Sequence, residues 1–564
     1  MKQKRLSTLL VLAMLILALL TGACMRAEAP APYAPPYDGA LAEPEYDIWD
    51  VDVPEIDDPD DWWDYDPAPS TTGEPGSAPK SAGKYSDDGD YVYAPNNEKY
   101  IDIDENTRKS TARDPMLTFS LKVDSASYAN VARYIESGKL PPKNAVRTEE
   151  LINYFNYDEV LKLESGSPFA LYTELGPSPF DPNKYMAFVR VKARELDKSQ
   201  LPPSNLTFLI DVSGSMSPHD RLPLLKDAFA LLVDSLDASD RVSIVTYASG
   251  TTIVLDGAKG SEKNKILGAI YGLDAGGSTA GEAGIQTAYR LAERNFLQGG
   301  NNRIILATDG DFNVGTSNTK ELERLVANKK ESGIYLSVLG VGTGNLREDI
   351  METLAKHGSG NYAYLNSLAT AEKVLVDELA SNLFVIAEDV KAQVEFNPAN
   401  VKSYRLIGYE NRALDNRDFA NDNKDAGEIG VGTDIIVLFE IELADEIMGS
   451  GLKYSSGAVE PNRKAAYGNE LFEVRLRYKK PGESNSRLTT LPVTFDRILK
   501  RNTADFNFAC SVAAFGDMLR GSAYARDITV NDLLALCEDS LGLDLKGYRY
   551  SYLELLGRLK KIYN

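Results

Sequence analysis

Histidine and cysteine are scarce in this sequence: of 564 residues, two are histidine (His219 and His357) and three are cysteine (Cys24, Cys510 and Cys537). His-based catalytic triads and Cys/His metal cages therefore have almost nothing to draw on. Basic residues are outnumbered, with 61 Lys and Arg against 83 Asp and Glu for a formal charge of −22, and no Lys/Arg stripe compensates. A chain without a positive field is a poor match for a phosphate backbone, which argues against nucleic-acid binding. Tryptophan is equally rare: Trp49, Trp62 and Trp63 are all there is, and none falls in a predicted core. The longest apolar run, Leu9 to Leu20, falls short of the roughly 20 residues that span a bilayer. What is plentiful is ordinary globular material, 43% hydrophobic. At a prior of roughly 150 residues per domain, that length suggests three or four domains.

Lys2, Lys4 and Arg5 precede the apolar run, and the small residues of Leu20-Thr21-Gly22-Ala23-Cys24 follow it. A charged start, an apolar centre and a small-residue site together predict a signal peptide over residues 1–24. The Cys24 context resembles a bacterial lipobox, although Thr21 stands where Leu is usual. That resemblance implies lipidation of Cys24 and a chain anchored at a membrane on the extracytoplasmic face of the cell envelope.

Between Met25 and Tyr100 lie 19 Asp/Glu, only 4 Lys/Arg, and 12 of the 27 prolines. Such a segment cannot bury enough apolar surface to fold, so residues 25–110 are expected to form a disordered acidic tether. As a coil it would reach roughly 50 Å.

From Asn205 the pattern changes to short apolar runs separated by amphipathic stretches. Strands are predicted at 206–210, 242–247, 252–255, 303–307, 335–341 and 362–365, with helices at 223–236, 282–296, 319–330 and 369–383. This is the pattern of a doubly wound α/β domain with a mainly parallel sheet, expected over residues 201–385. The first strand runs into Asp211-Val212-Ser213-Gly214-Ser215 and the fourth into Thr308-Asp309-Gly310-Asp311, with the loop Gly276-Gly277-Ser278-Thr279 between them. With strand order 3-2-1-4-5-6 these loops converge at the switch point beyond the carboxyl ends of the strands. Their side chains are hard oxygen donors, suited to Mg²⁺ with Mn²⁺ or Ca²⁺ as substitutes.

These residues resemble the metal-ion-dependent adhesion site of von Willebrand factor type A domains, an Asp-x-Ser-x-Ser with a separate Thr and a separate Asp. In this chain they are Asp211, Ser213, Ser215, Thr279 and Asp309. The resemblance implies that Ser213, Ser215 and Thr279 touch the metal directly while Asp211 and Asp309 act largely through water. Neutral hydroxyls neutralise little charge, so such a metal favours one further anionic oxygen, supplied by an Asp or Glu of a partner protein. Ser278, Asp311, Asn313 and His219 are candidates for the rim that selects the partner.

The flanks read as accessory regions. Residues 111–200 carry the strand around Phe119, a helix after Ser125, a second helix near Thr148, and strands at 171–174 and 186–193. This part resembles the N-terminal extension of a group of bacterial von Willebrand A lipoproteins. Residues 386–500 are β-rich, with strands at 390–396, 435–443, 472–478 and 491–495, and residues 501–564 return to helix, with a capping box at Thr529-Val530-Asn531-Asp532. Strands on both sides predict one β-sandwich into which the α/β domain is inserted. Cys510 and Cys537 fall in two of the terminal helices; export permits a disulfide, but small buried apolar residues is the favoured reading.

Three functions follow. The first is a tethered, metal-dependent protein-binding module without catalytic activity. The second is an envelope assembly scaffold in which the metal is structural. The third is a Mg²⁺-dependent hydrolase, which has no evident general base beyond His219, Asp311 or Glu282.

Overall fold

The computed structural model describes residues 97–563 except 123, 158–160, 162, 164–165, 279–280, 311–318 and 445–466. The chain divides into two units, Met1–Ser81 and Ala82–Asn564, and every described residue belongs to the second. The expected signal peptide, Cys24 and the tether up to residue 96 lie outside the described residues, as do Thr279, Asp311 and Asn313.

Residues 97–110 correct the tether boundary, because they are folded. The Glu98 carboxylate accepts hydrogen bonds from Arg133 and from the hydroxyls of Tyr100 and Tyr134, and the Lys99 N–H donates to Leu346 O at 2.9 Å. An acidic residue that finds three half-buried donors is no longer a freely solvated one. Strands β1 (Lys109–Ser110) and β2 (Met116–Ser120) lead to helices α1 (Ala126–Glu136) and α2 (Thr148–Asn153), then β3 (Phe169–Pro177) and β4 (Tyr185–Ala193). Ser125 makes no side-chain cap on α1; the Ser127 N–H donates instead to Glu150 of α2 at 2.9 Å.

The α/β unit follows. Its strands are β5 (Ser204–Asp211), β6 (Arg241–Tyr247), β7 (Thr251–Lys259), β8 (Asn301–Thr308), β9 (Ile334–Val341) and β10 (Tyr362–Leu365), ordered β10-β9-β8-β5-β6-β7. This is the expected order, parallel throughout except for the β6–β7 hairpin. Strands β5 and β8 are buried along their whole length, as a sheet covered on both faces requires. Alternation along β5 sends Phe208 and Ile210 to the face of helix α3 (Leu222–Ser235) and Leu209 to the opposite face. Helices α4 (Lys263–Tyr271), α5 (Gly281–Arg294), α6 (Thr319–Glu331) and α7 (Glu348–His357) complete the two layers.

The expected continuous helix 369–383 is broken into α8 (Leu368–Glu372), a π-turn (Lys373–Asp377) and α9 (Leu379–Leu383). Lys373 explains the break. It is buried, its ammonium bonds Glu378 at 2.7 Å and lies over the rings of Tyr154 and Tyr548, and Asn382 Nδ2 takes the Val374 carbonyl at 2.8 Å.

After this unit come β11 (Val385–Phe396), β12 (Val401–Ile407), β13 (Ala413–Leu414), β14 (Gly427–Gly430), β15 (Asp434–Leu443), β16 (Glu470–Lys479) and β17 (Arg487–Thr494). They build two antiparallel sheets, β1-β12-β15-β4-β3 and β13-β2-β11-β16-β17. Each sheet mixes strands from before and after the α/β unit: Val189 of β4 pairs Val437 of β15, and Leu117 of β2 pairs Val394 of β11. Phe169, Val191, Phe396, Phe439 and Val474 share one core between them. The α/β unit is thus inserted in a sandwich. Its entry, Ser204, pairs with Asn301 at the start of β8, and its exit carbonyl, Leu383, meets Arg303 two residues along. Both ends therefore lie at the amino edge of the sheet.

Helices α10 (Ala504–Arg520), α11 (Val530–Glu538) and α12 (Tyr548–Tyr563) pack Phe508, Val512, Leu533 and Tyr552 against Val131 and Phe155 of the N-terminal flank. The Thr529/Asp532 capping box forms as expected. Cys510 and Cys537 are buried and free. No described helix is long and apolar enough to cross a membrane.

Candidate metal centre

The carboxyl ends of β5 and β8 are neighbours, and the connections leaving them diverge, which opens a crevice above the sheet. Asp211 closes β5. The Ser213 N–H donates to its Oδ1 at 2.8 Å, the local turn that short carboxylates favour, and the Thr308 hydroxyl donates to Oδ2 at 3.4 Å. Ser213 is extended and Gly214–Met216 form one turn of 3₁₀ helix, which brings the Ser213 and Ser215 hydroxyls to 3.0 Å from each other.

Two backbone bonds stitch the glycine loop to this turn. The Gly276 N–H donates to Val212 O at 2.7 Å, and the Gly214 N–H donates to Gly277 O at 3.0 Å. Gly277 has φ +85°, and a Cβ there would stand 2.4 Å from Ser249 Oγ, so the position requires glycine. The bonds carry Ser278, next to Thr279 in sequence, to the side of the crevice. Ser278 is exposed, its N–H donating to Ser249 Oγ at 3.0 Å, and His219 is exposed on the loop after Ser215.

Asp309 follows β8 and is buried. Its carboxylate is met by Arg221, a residue that sequence reading did not single out. Arg221 Nη1 also donates to Ser215 O at 2.6 Å, and Nη2 donates to Thr343 O at 2.9 Å. The side chain crosses Gly342, at φ +74°, where a Cβ would approach Nε to 2.4 Å. One signal was available: Arg221 stands at the N-terminus of α3, where the helix dipole disfavours a cation unless a carboxylate compensates.

The donor set fits a hard divalent cation. Asp211 is fully buried, and among the described residues no cation pairs with it. Burial, helped by the charge of Asp309 and opposed by the Ser213 hydrogen bonds, lifts its carboxyl to about 6. A buried carboxylate beside two converging hydroxyls and a second carboxylate is the environment that an added cation stabilises. Among the described residues no group of three or more His, Cys, Asp or Glu could hold a metal.

An inserted doubly wound unit with these oxygens at its carboxyl edge defines a von Willebrand factor type A domain, and the model of that family matches residues 205–377. Residues 94–188 match a family described as von Willebrand factor, and residues 381–562 match the C-terminal region of uncharacterized protein YfbK. Uncharacterized protein YfbK of Escherichia coli (strain K12) is 41% identical over 476 residues, covering 83% of this chain and 82% of that protein. The chain belongs to the family of that bacterial protein. Uncharacterized protein sll0103 of a Synechocystis species is 28% identical over 184 residues, 32% of this chain and 42% of its own length. The solved structure of a von Willebrand factor type A protein from Catenulispora acidiphila is 17% identical, with a TM-score of 0.40, over 68% of this chain and 89% of that one. Domains of this class bind a divalent metal and mediate metal-dependent protein interaction.

Proposed function

We propose that this protein is a non-catalytic, metal-dependent protein-binding module, tethered to the cell envelope through lipid on Cys24, which takes an Asp or Glu side chain of a partner protein at the site of Asp211. The observation that carries the reading is a buried carboxylate, with no Lys or Arg paired to it among the described residues, beside two hydroxyls 3.0 Å apart at the carboxyl edge of the sheet. Ser213, Ser215 and Thr279 would hold Mg²⁺ directly, with Mn²⁺ or Ca²⁺ as substitutes, and Asp211 and Asp309 would hold it through water. When bound, the metal supplies a Lewis-acidic position for one more anionic oxygen. The chain's own residues set the rest. Asp211 orients the Ser213 turn, the 276–277 backbone fixes the glycine loop, and Arg221 compensates Asp309 and adds a positive charge that favours an incoming carboxylate. Ser278, Asp311, Asn313 and His219 would form the rim that discriminates among acidic partners. The sequence of residues 1–96 supports the tether: an export signal, a lipidation cysteine and an acidic Pro-rich stalk.

The test is capture of partners from envelope extract by the Cys24→Ser protein immobilised on resin. We expect a bound protein that is released by chelator and missing with Ser213→Ala. Capture unchanged by both would contradict the proposal and favour the scaffold reading.

A further inference from the structure

The same sheet has a cavity of about 480 Å³ toward its opposite, amino edge, lined by Arg303, Ser337, Leu339, Asn361, Leu375 and Leu383 among others. Its volume lies in the range of roughly 300 to 1,000 Å³ typical of small-molecule sites. It sits between β8–β10 and the broken 368–383 segment and does not involve the metal-site residues.

Arg303 is the anomaly in this cavity. Seven arginines are buried among the described residues, and six of them (Arg147, Arg190, Arg405, Arg412, Arg520 and Arg549) meet a carboxylate at 2.5 to 3.0 Å. Arg303, 1% exposed, forms no ion pair among the described residues, although the charge of Glu428 reaches it through space. Its Nη1 donates to Ser337 Oγ at 2.8 Å, its Nη2 to Leu383 O at 3.4 Å, and its Nε has no partner among the described residues. The guanidinium also lies 5.3 Å from the centre of the Tyr335 ring.

The acids of the cavity wall are engaged elsewhere. Glu428 accepts from Ser359 Oγ at 2.6 Å and faces Lys122 and Lys330 at 3.9 Å each. Asp434 pairs with Arg190, Glu378 with Lys373, Asp377 with Lys546, Asp124 with Arg412 and Glu195 with Lys192. Burial pulls the Arg303 guanidinium down to about 10, so it still carries its charge at neutral pH. Buried charges are paired as a rule, because an unpaired one loses its hydration with nothing in return. This chain obeys the rule at six arginines and breaks it at the one that lines a cavity.

We propose that the cavity is a binding site for a small organic acid, its carboxylate paired with Arg303 beside the Ser337 hydroxyl and its apolar body packed on Leu339, Leu375 and Leu383. Arginine's fork matches a carboxylate with two parallel N–H donors, and the apolar wall selects an acid with a hydrocarbon portion over a free inorganic ion.

The experiment is thermal unfolding and titration calorimetry of the Cys24→Ser protein with benzoate and hexanoate, beside benzamide, hexanamide and inorganic phosphate. The proposal expects at least one acid to raise the midpoint and to bind one per chain, with its amide and phosphate inert. Arg303→Met, which removes the unpaired charge at similar volume, should unfold at the same or a higher temperature without ligand and bind that acid at least tenfold more weakly. If Arg303→Met does not fold, Leu375→Trp decides, since it fills the cavity with Arg303 in place and should abolish the response. No response to either acid, equal response to the amides, response to phosphate alone, or acid binding retained in Arg303→Met or Leu375→Trp would overturn the proposal.

Discussion

Asp309 and Arg221 form a pair inside the proposed metal site, and its consequence can be worked out from charge alone. The guanidinium holds one carboxylate oxygen and two backbone carbonyls, so it stays in place beside any cation that binds at Asp211. At an effective dielectric of about 20 and a separation of roughly 7 Å, a unit charge is worth about 2 kcal/mol in favour of a monovalent anion and about twice that against a divalent ion, before rearrangement reduces both. Arg221→Gln should therefore bind Mg²⁺ about tenfold more tightly and, once loaded, bind acetate more weakly. Titration calorimetry with each probe reads the two effects separately, and a shift of both in the same direction would refute this role. Of the site, Asp211, Ser213, Ser215 and Asp309 were legible in the sequence because hydroxyls and carboxylates stand at strand ends. Arg221 was not, because its partner is 88 residues away.

Among the elements, the strands with long apolar runs were legible, whereas α4, α7 and β12 were not. Strands β5 and β8 read directly from their apolar runs. Helix α7 was missed because Glu348 and Glu352 give it a polar face, yet both are buried and meet Arg147 at 2.8 Å. Strand β12 was missed for the same reason: Arg405 is buried against Asp517 at 2.8 Å. The π-turn was invisible because residues 369–383 keep helical spacing and only Lys373, buried on two tyrosine rings, interrupts the ladder.

The ionic cluster that hides α7 also makes stability depend on pH. Burial, and then the charge of Glu352, raise Glu348 to about 7 against the pull of Arg147. Its folded value lies above its unfolded one, so the folded chain holds a proton that the unfolded chain has lost between about pH 4.5 and 7. Stability from this group is greatest at the acid end and falls as pH rises through that window, by at most about 1.4 kcal/mol per pH unit. Glu348→Gln should flatten the decline of the urea midpoint between pH 5 and 7.5. An unchanged slope would show that Glu348 does not titrate there.

For the molecule as a whole, insertion fixes orientation. Both connections of the α/β unit to the sandwich lie at the amino edge of its sheet, and the oxygens of the proposed metal site lie at the carboxyl edge. The sandwich needs both flanks, since β4 pairs with β15 and β2 with β11. The expectation of strands on both sides carried this topology from the sequence. The 97–110 segment escaped it because an acidic, Pro-rich composition continues up to residues that turn out to dock on folded partners.

A divalent cation should bind at the buried carboxylate of Asp211. Titration of the Cys24→Ser protein with Mg²⁺, beside Asp211→Asn, tests it most directly. The asparagine preserves shape and removes a charge that burial already disfavours, so the variant should fold at least as well as the parent. The expected result is one Mg²⁺ per chain in the parent and at least a hundredfold weaker binding in Asp211→Asn. No binding in the parent, or equal binding in both, would contradict it.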